Sequence, residues 1–156
     1  LQKDLIPFMK KIRELGFLVK LDTNGAKPDV LKNILDENLA DYVAMDIKAS
    51  PSKYTSAVNV ENFSFSLIEE SIAMLEKSDI PHEFRTTVTR ELHSEEDFSE
   101  ILPLFSKSTP YFLQQFKDSG ELLADGYTAH DEETMKEMLT LIKPYVKIAG
   151  IRGIEE

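Results

Sequence analysis

The sequence predicts an α/β fold, either a parallel sheet with outer helices or part of a (β/α) barrel. Three observations carry this. Helical and strand-like apolar periods alternate along the chain in the order α-β-α-β-α-β-α-β-α-β. Glycine, proline and capping residues punctuate the boundaries between them. No linker or low-complexity stretch divides the 156 residues, a length that suits one domain spanning 1–156.

The elements follow in order. Leu5, Ile6, Phe8, Met9, Ile12 and Leu15 recur at helical spacing, and Gly16 is a natural residue just past that helix. Residues 17–21 read as a mostly buried strand. Asn24-Gly25 is turn chemistry, and Pro28 opens a helix with Val30, Leu31, Ile34 and Leu35 on one face. A second strand covers 42–47, and the polar, aperiodic stretch 49–62 reads as a loop. Leu67, Ile68, Ile72 and Leu75 mark a third helix, which Pro81 separates from a strand over 82–88. Ser94-Glu95-Glu96-Asp97 resembles a capping box, followed by an apolar stripe that Pro103 should kink or shorten. Residues 110–116 form a fourth strand, and a polar loop with Gly120 and Gly126 follows. Asp131 caps a helix with Met135, Met138, Leu139 and Ile142 inward, Pro144 stops it, and 146–151 is the last strand.

Composition narrows the function classes. Apolar residues make up 42% and charged residues 29%, as in soluble globular domains. The net charge is −10 without a basic stripe, which argues against nucleic acid as a partner. No run of about 18 apolar residues exists to span a membrane, and no signal peptide precedes the first helix. A cytoplasmic location is therefore expected. The absence of cysteine excludes a disulfide framework, a thiolate metal site and a cysteine nucleophile within these residues. The dinucleotide, Walker and nucleophile-elbow motifs are also absent.

Sites in parallel α/β folds lie at the carboxyl ends of the strands. The first strand ends at Asp22, Thr23 and Asn24, and the second at Asp46 and Lys48. The third carries Arg85, Thr86, Thr87 and Thr89, and the fourth ends at Gln114, Gln115 and Lys117. Asp46 and Lys48 stand two apart and so point to the same face. Two carboxylates, a lysine and an arginine at one mouth could hold a zwitterion, or a hard cation between Asp22 and Asp46. Each piece also has a plain explanation. Asp or Lys commonly ends a strand as the chain leaves for water, and Asp and Asn make turn hydrogen bonds. Arg85 in an apolar strand is harder to dismiss, since a buried arginine needs a partner. His82, His93 and His130 read as surface or capping residues, and the five methionines fit core positions.

Five segments occur in order: GFLVKLDTNGAKPDVLKNIL, DYVAMDIKASPSKY, HEFRTTVTRELHSEEDF, YFLQQFK and KPYVKIAGIRG. Together they resemble the radical S-adenosylmethionine activating enzymes of glycyl radical enzymes. Within that family the likeness is to activators of anaerobic ribonucleoside-triphosphate reductase, with the pyruvate formate-lyase activators as relatives. The resemblance covers nearly the whole chain. It implies the C-terminal part of a partial (β/α)6 TIM-like barrel. In the family a CxxxCxxC loop holds a 4Fe–4S cluster, and S-adenosylmethionine binds its unique iron. Reductive cleavage then gives a 5′-deoxyadenosyl radical that takes hydrogen from a glycine of the partner enzyme.

By the same resemblance, Asp22, Thr23 and Asn24 match the family's Asp-Thr-Asn-Gly at the edge of the S-adenosylmethionine site. Asp46 and Lys48 match its Asp-x-Lys on the opposite wall, and the acid pair implies a monovalent cation. Arg85 and Thr87 resemble contacts to the methionine carboxylate or ribose, and Gln114 a position near the adenosine, where some relatives carry histidine. The chain has neither the cluster cysteines nor the family's Gly-Gly-Glu-Pro, which normally precedes a Leu-Gln such as Leu1-Gln2. It thus looks like the family's chain entered after its second strand. The expectation is a cluster-free truncated barrel that is inactive alone, and a sheet edge left open for a second copy to pair with.

Two other readings stand beside this one. A barrel lyase or decarboxylase could use Asp46 and Lys48, with Lys48 as acid or Schiff base. The orotidine decarboxylase pattern needs Asp three residues after the lysine, where Pro51 stands. The third reading is a non-catalytic module that docks a large partner.

Overall fold

The computed structural model describes residues 4–117 and 126–154, arranged as a parallel sheet with helices between its strands. In chain order the elements are α1 (Leu5–Glu14), β1 (Lys20–Thr23), α2 (Pro28–Asp36), β2 (Tyr42–Asp46), α3 (Tyr54–Val58) and α4 (Ser66–Lys77). They continue with β3 (His82–Val88), α5 (Glu95–Ile101), β4 (Pro110–Gln115), α6 (Glu132–Ile142) and β5 (Ile148–Arg152). The sheet order is β1-β2-β3-β4-β5, and every neighbouring pair is parallel. Crossovers between adjacent parallel strands are right-handed, so an unreversed order winds the helices onto one side. This is barrel-type winding and not the doubly wound kind, whose strand order reverses.

Local chemistry sets the boundaries. Pro28 occupies the first turn of α2, where its missing N–H costs nothing. Ser94 and Asp97 form the expected capping box at α5. The Asp131 carboxylate caps α6 by accepting from the Thr134 N–H at 2.8 Å. Pro103 ends α5 in a 3-10 turn over Leu102–Leu104. Gly25 has φ +70°, and a Cβ there would lie 2.0 Å from the Met45 Cε. Only glycine lets the β1–α2 turn close onto β2.

Several sequence expectations are corrected. The first strand begins at Lys20, and Phe17 and Leu18 are exposed, not part of a buried strand. They precede an edge strand with no neighbour over them among the described residues. Phe8 and Leu15 of the α1 stripe also face outward, leaving Met9 as its buried anchor. The stretch 49–62 is not a plain loop. It holds a 3-10 turn (Pro51–Lys53) and α3, because the ring of Tyr54 is buried against Phe63 and Phe65 at 5.6 and 5.0 Å. The last strand starts at Ile148, two residues later than expected. The loop position Gly120 lies outside the described residues.

Strand side chains alternate with period two. The parallel registers therefore put Leu21, Val43, Met45, Phe84, Val88, Tyr111 and Leu113 on one face. There they join Leu31, Ile34, Ile68, Ile72, Leu75, Phe98, Ile101, Met135 and Ile142 of the helices in one core. Phe84 stacks on Phe105 with centroids 4.6 Å apart, and Phe105 meets Tyr111 at 5.0 Å. Each such side chain contributes about 1.5–3 kcal/mol by leaving water. The opposite face carries Asp22, Asp46, Glu83, Arg85, Gln114 and Arg152, and none of these belongs to the core. Among the described residues no helix packs over this face, and its charged side chains pair with one another across the strands.

Candidate functional site

The site lies where that polar face meets the carboxyl ends of β1, β2 and β3. Register aligns Asp46 with Arg85, so the two project side by side. The Arg85 Nε–H donates to Asp46 Oδ1, and Nη2 lies 3.4 Å from Asp22 Oδ2. Lys48 Nζ donates to the other Asp46 oxygen at 2.9 Å. The Arg85 side chain is only 13% exposed, which explains why it gathers two carboxylates. Burial alone would lower its pKa. The hydrogen bond and charge of Asp46, followed by those of Asp22, outweigh burial and raise it. The guanidinium stays charged. Two acids and two bases make the cluster neutral overall, a balance of charges that could pair with a zwitterion.

Beside it opens a cleft of about 440 Å³, with Asp22, Asn24, Asp46 and Lys48 on its polar wall. Leu5, Leu21, Val30, Leu31 and Ile34 form the apolar wall along the β1 edge. The cleft is thus half charged and half greasy.

The structure sorts the remaining site residues. Thr23 alternates to the helix-covered face, and its hydroxyl accepts from the Gly25 N–H at 3.1 Å. Asn24 Oδ1 accepts from the Ala26 N–H at 3.1 Å, so both side chains build the turn that presents Asp22. Thr87 and Gln114 share the polar face, with the Thr87 hydroxyl 3.5 Å from Gln114 Oε1. Thr86 and Gln115 point the other way, Thr86 to the Ile47 carbonyl and Gln115 to the His130 carbonyl. The space between Asp22 and Asp46 is spanned by the Arg85 guanidinium. Among the described residues no group of three or more His, Cys, Asp or Glu side chains could hold a metal ion.

Sequence reasoning missed a second charged layer on the same face. Arg152 of β5 grips Glu83 of β3 through both terminal nitrogens, at 2.6 and 2.8 Å. Its guanidinium lies 3.8 Å from the centroid of the Phe112 ring. Tyr42 donates to Glu83 at 2.9 Å. The Arg152 hydrogen bonds hold Glu83 low despite its burial, and burial together with the Glu83 bond pushes Tyr42 up to about 12. The available signal was Glu83 itself, a carboxylate inside a strand run and two residues before Arg85.

The histidine reading also needs correction. His93 is neither at the surface nor a cap. It is buried, stacks on Phe98, and its Nδ1 accepts from the Thr89 N–H at 3.1 Å. Burial pulls its pKa down to about 4. His82 and His130 are half-buried and bonded to the carbonyls of Ile80 and His93.

Unreversed parallel order, a polar face that no helix covers among the described residues, and charges at the strand ends define a (β/α)-barrel-type protein, with its candidate site at the carboxyl mouth. Its fold is similar to the crystal structure of a domain of pyruvate-formate lyase-activating enzyme from Bacteroides vulgatus. The TM-score is 0.76 at 17% identity, over 96% of this chain and 89% of that one. The sequence is 31% identical over 160 residues to a Methanocaldococcus jannaschii protein named as a glycyl-radical enzyme activating enzyme, covering 99% of this chain and 67% of that protein. No family model matches the chain. The chain belongs to the family of glycyl-radical enzyme activating enzymes.

Proposed function

We propose that this chain forms the S-adenosylmethionine-binding portion of a radical S-adenosylmethionine activase. The activase would install a glycyl radical on anaerobic ribonucleoside-triphosphate reductase or a related enzyme. The observation that carries the reading is Arg85 bridging Asp22 and Asp46 beside Lys48, in a member of an activating-enzyme family.

The donor set fits the amino-acid end of S-adenosylmethionine. Arg85 and Lys48 can pair with a carboxylate, while Asp22 and Asp46 can accept from an ammonium. Once bound, the cofactor supplies the alkyl radical precursor. The chain's own contribution is charge pairing and orientation, since a ligand carboxylate taking one arm of Arg85 frees an acid for its ammonium. Asp22, 57% exposed on its side chain, is the partner most easily released. The residues do not fit an iron–sulfur cluster, because none of the 156 is cysteine. Thiolate ligands would have to come from outside them, and by itself the chain should be inactive in reductive cleavage. The Asp22–Asp46 pair would accept a monovalent cation only with Arg85 turned away.

Titration calorimetry tests this. The chain should bind S-adenosylmethionine, and Arg85→Gln should weaken binding by about tenfold or more, the usual effect of losing one charged hydrogen-bond partner. Decarboxylated S-adenosylmethionine, which brings no carboxylate for Arg85, should lose no affinity in Arg85→Gln. Equal affinity of both proteins for the intact cofactor would refute the assignment.

A further inference from the structure

We propose that Asp97 is a positioning residue that fixes the Lys48 segment and so holds Lys48 against Asp46. It rests on the reading above only for what Lys48 would meet there.

Lys48 lies beyond the end of β2, outside regular structure. On its N-terminal side the chain is tied to β3. The Ile47 N–H donates to the Arg85 carbonyl at 2.8 Å, and the Thr86 hydroxyl donates to the Ile47 carbonyl at 2.9 Å. On its C-terminal side the Lys48 N–H donates to the Tyr54 hydroxyl at 3.5 Å, and the remaining ties come from α5. Ser50 Oγ donates to Asp97 Oδ1 at 2.8 Å, and Lys53 Nζ donates to Asp97 Oδ2 at 2.7 Å. The Ser52 N–H and hydroxyl both reach Glu100, at 3.1 and 2.9 Å. Lys48 is therefore stretched between two anchors, one residue after Ile47 and two before Ser50.

A helix cap alone does not account for this arrangement. The capping box uses the Ser94 N–H and hydroxyl, each 2.8 Å from Asp97 Oδ2. Ser50 and Lys53 are 47 and 44 residues away in sequence, and neither is needed to start α5. The Asp97 side chain is 4% exposed and receives four donors, so its position is over-determined. A buried carboxylate with this many donors sits in one place and transmits that place to its partners. Sliding the 48–53 segment would strand the charge, which is costly. The short chain from Ser50 back to Lys48 leaves the Lys48 backbone little freedom. Its ammonium then needs only its own rotamers to meet Asp46 at 2.9 Å.

Lysine acylation reads the clamp without any cofactor. Per-residue rates with limiting acetic anhydride, measured by mass spectrometry, should rise several-fold at Lys48 in Asp97→Asn and in Ser50→Ala. Lys32 and Lys136, on α2 and α6, should keep their rates. Ile101→Val, buried on α5 and outside these bonds, should destabilise the fold without raising the Lys48 rate. An unchanged Lys48 rate in Ser50→Ala, the variant least disturbing to folding, would overturn the proposal. So would an equal rise in Ile101→Val. Calorimetry on the unaltered chain separates the two ideas: failure to bind S-adenosylmethionine would sink the cofactor reading, while the acylation rates still decide the clamp.

Discussion

Phe84 and Arg85 are adjacent in β3 and lead opposite lives. Phe84 is fully buried between the sheet and Phe105, whereas Arg85 spans two carboxylates on the uncovered face. The same division runs through the sheet. One face is apolar and buried by helices, and the other is charged and paired across strands. The apolar face supplies most of the stability, because burial of hydrocarbon is favourable without needing exact partners. The charged face contributes little net stability, since ion pairing roughly offsets desolvation. It supplies fixed charge at one mouth instead. A fold of this size can thus leave one of its two faces charged without losing its core.

The largest expected effect breaks the apolar face. Phe84→Ala should cost about 4 kcal/mol in urea denaturation, as large-to-small core changes do. Thr87→Ala, on the exposed side of the same strand, should stay within about 0.5 kcal/mol. A cost for Thr87→Ala rivalling that of Phe84→Ala would contradict the division.

Next comes acid. His93 is kept neutral on the helix side, with its pKa lowered to about 4 by burial. Between its ordinary value of about 6.5 and that value, the unfolded chain binds a proton that the folded chain refuses. Stability should therefore be full above pH 6.5 and fall by about 3 kcal/mol on the way to pH 4, at 1.36 kcal/mol per unit. Urea midpoints across that range in the chain and in His93→Gln check this, and the variant should show the flatter profile. Asp97 acts in a lower window. Burial would raise it, but donors from Lys53, Ser50 and Ser94 bring it down to about 2. Its contribution is present above about pH 4 and is lost as pH falls toward 2.

The smallest effect probes the charged face. Arg152→Ala should cost about 2 kcal/mol, because Glu83, 3% exposed, is left with only the Tyr42 hydrogen bond. Adding Glu83→Gln should recover about half of that, measured as coupling in a double-mutant cycle. Full additivity would show that the pair does not act as a unit.

Much of this was legible in the sequence. Alternating periods announced the βα units, Gly25 the tight turn, and Ser94 with Asp97 the cap. Arg85 could be suspected because a guanidinium in an apolar run demands acids, and Asp22 and Asp46 stood at matching strand ends. The start of β1 was not legible, since Phe17 and Leu18 are as apolar as a core strand and only its edge position leaves them exposed. The five-residue α3 is too short to show a helical period. The Glu83–Arg152 pair joins residues 69 apart, and no local pattern links them.

The sequence by itself determined most of the strands and the longer helices, their caps, and which residue types wait at the strand ends. Those properties depend on neighbours within a few positions, through backbone sterics, capping bonds and apolar period. Only the tertiary structure decided which face of the sheet stays uncovered, that Arg85 takes both acids, and that Asp97 reaches back to the Lys48 segment. Each of these requires strand register and one-sided winding, which bring together charges that the chain keeps tens of residues apart.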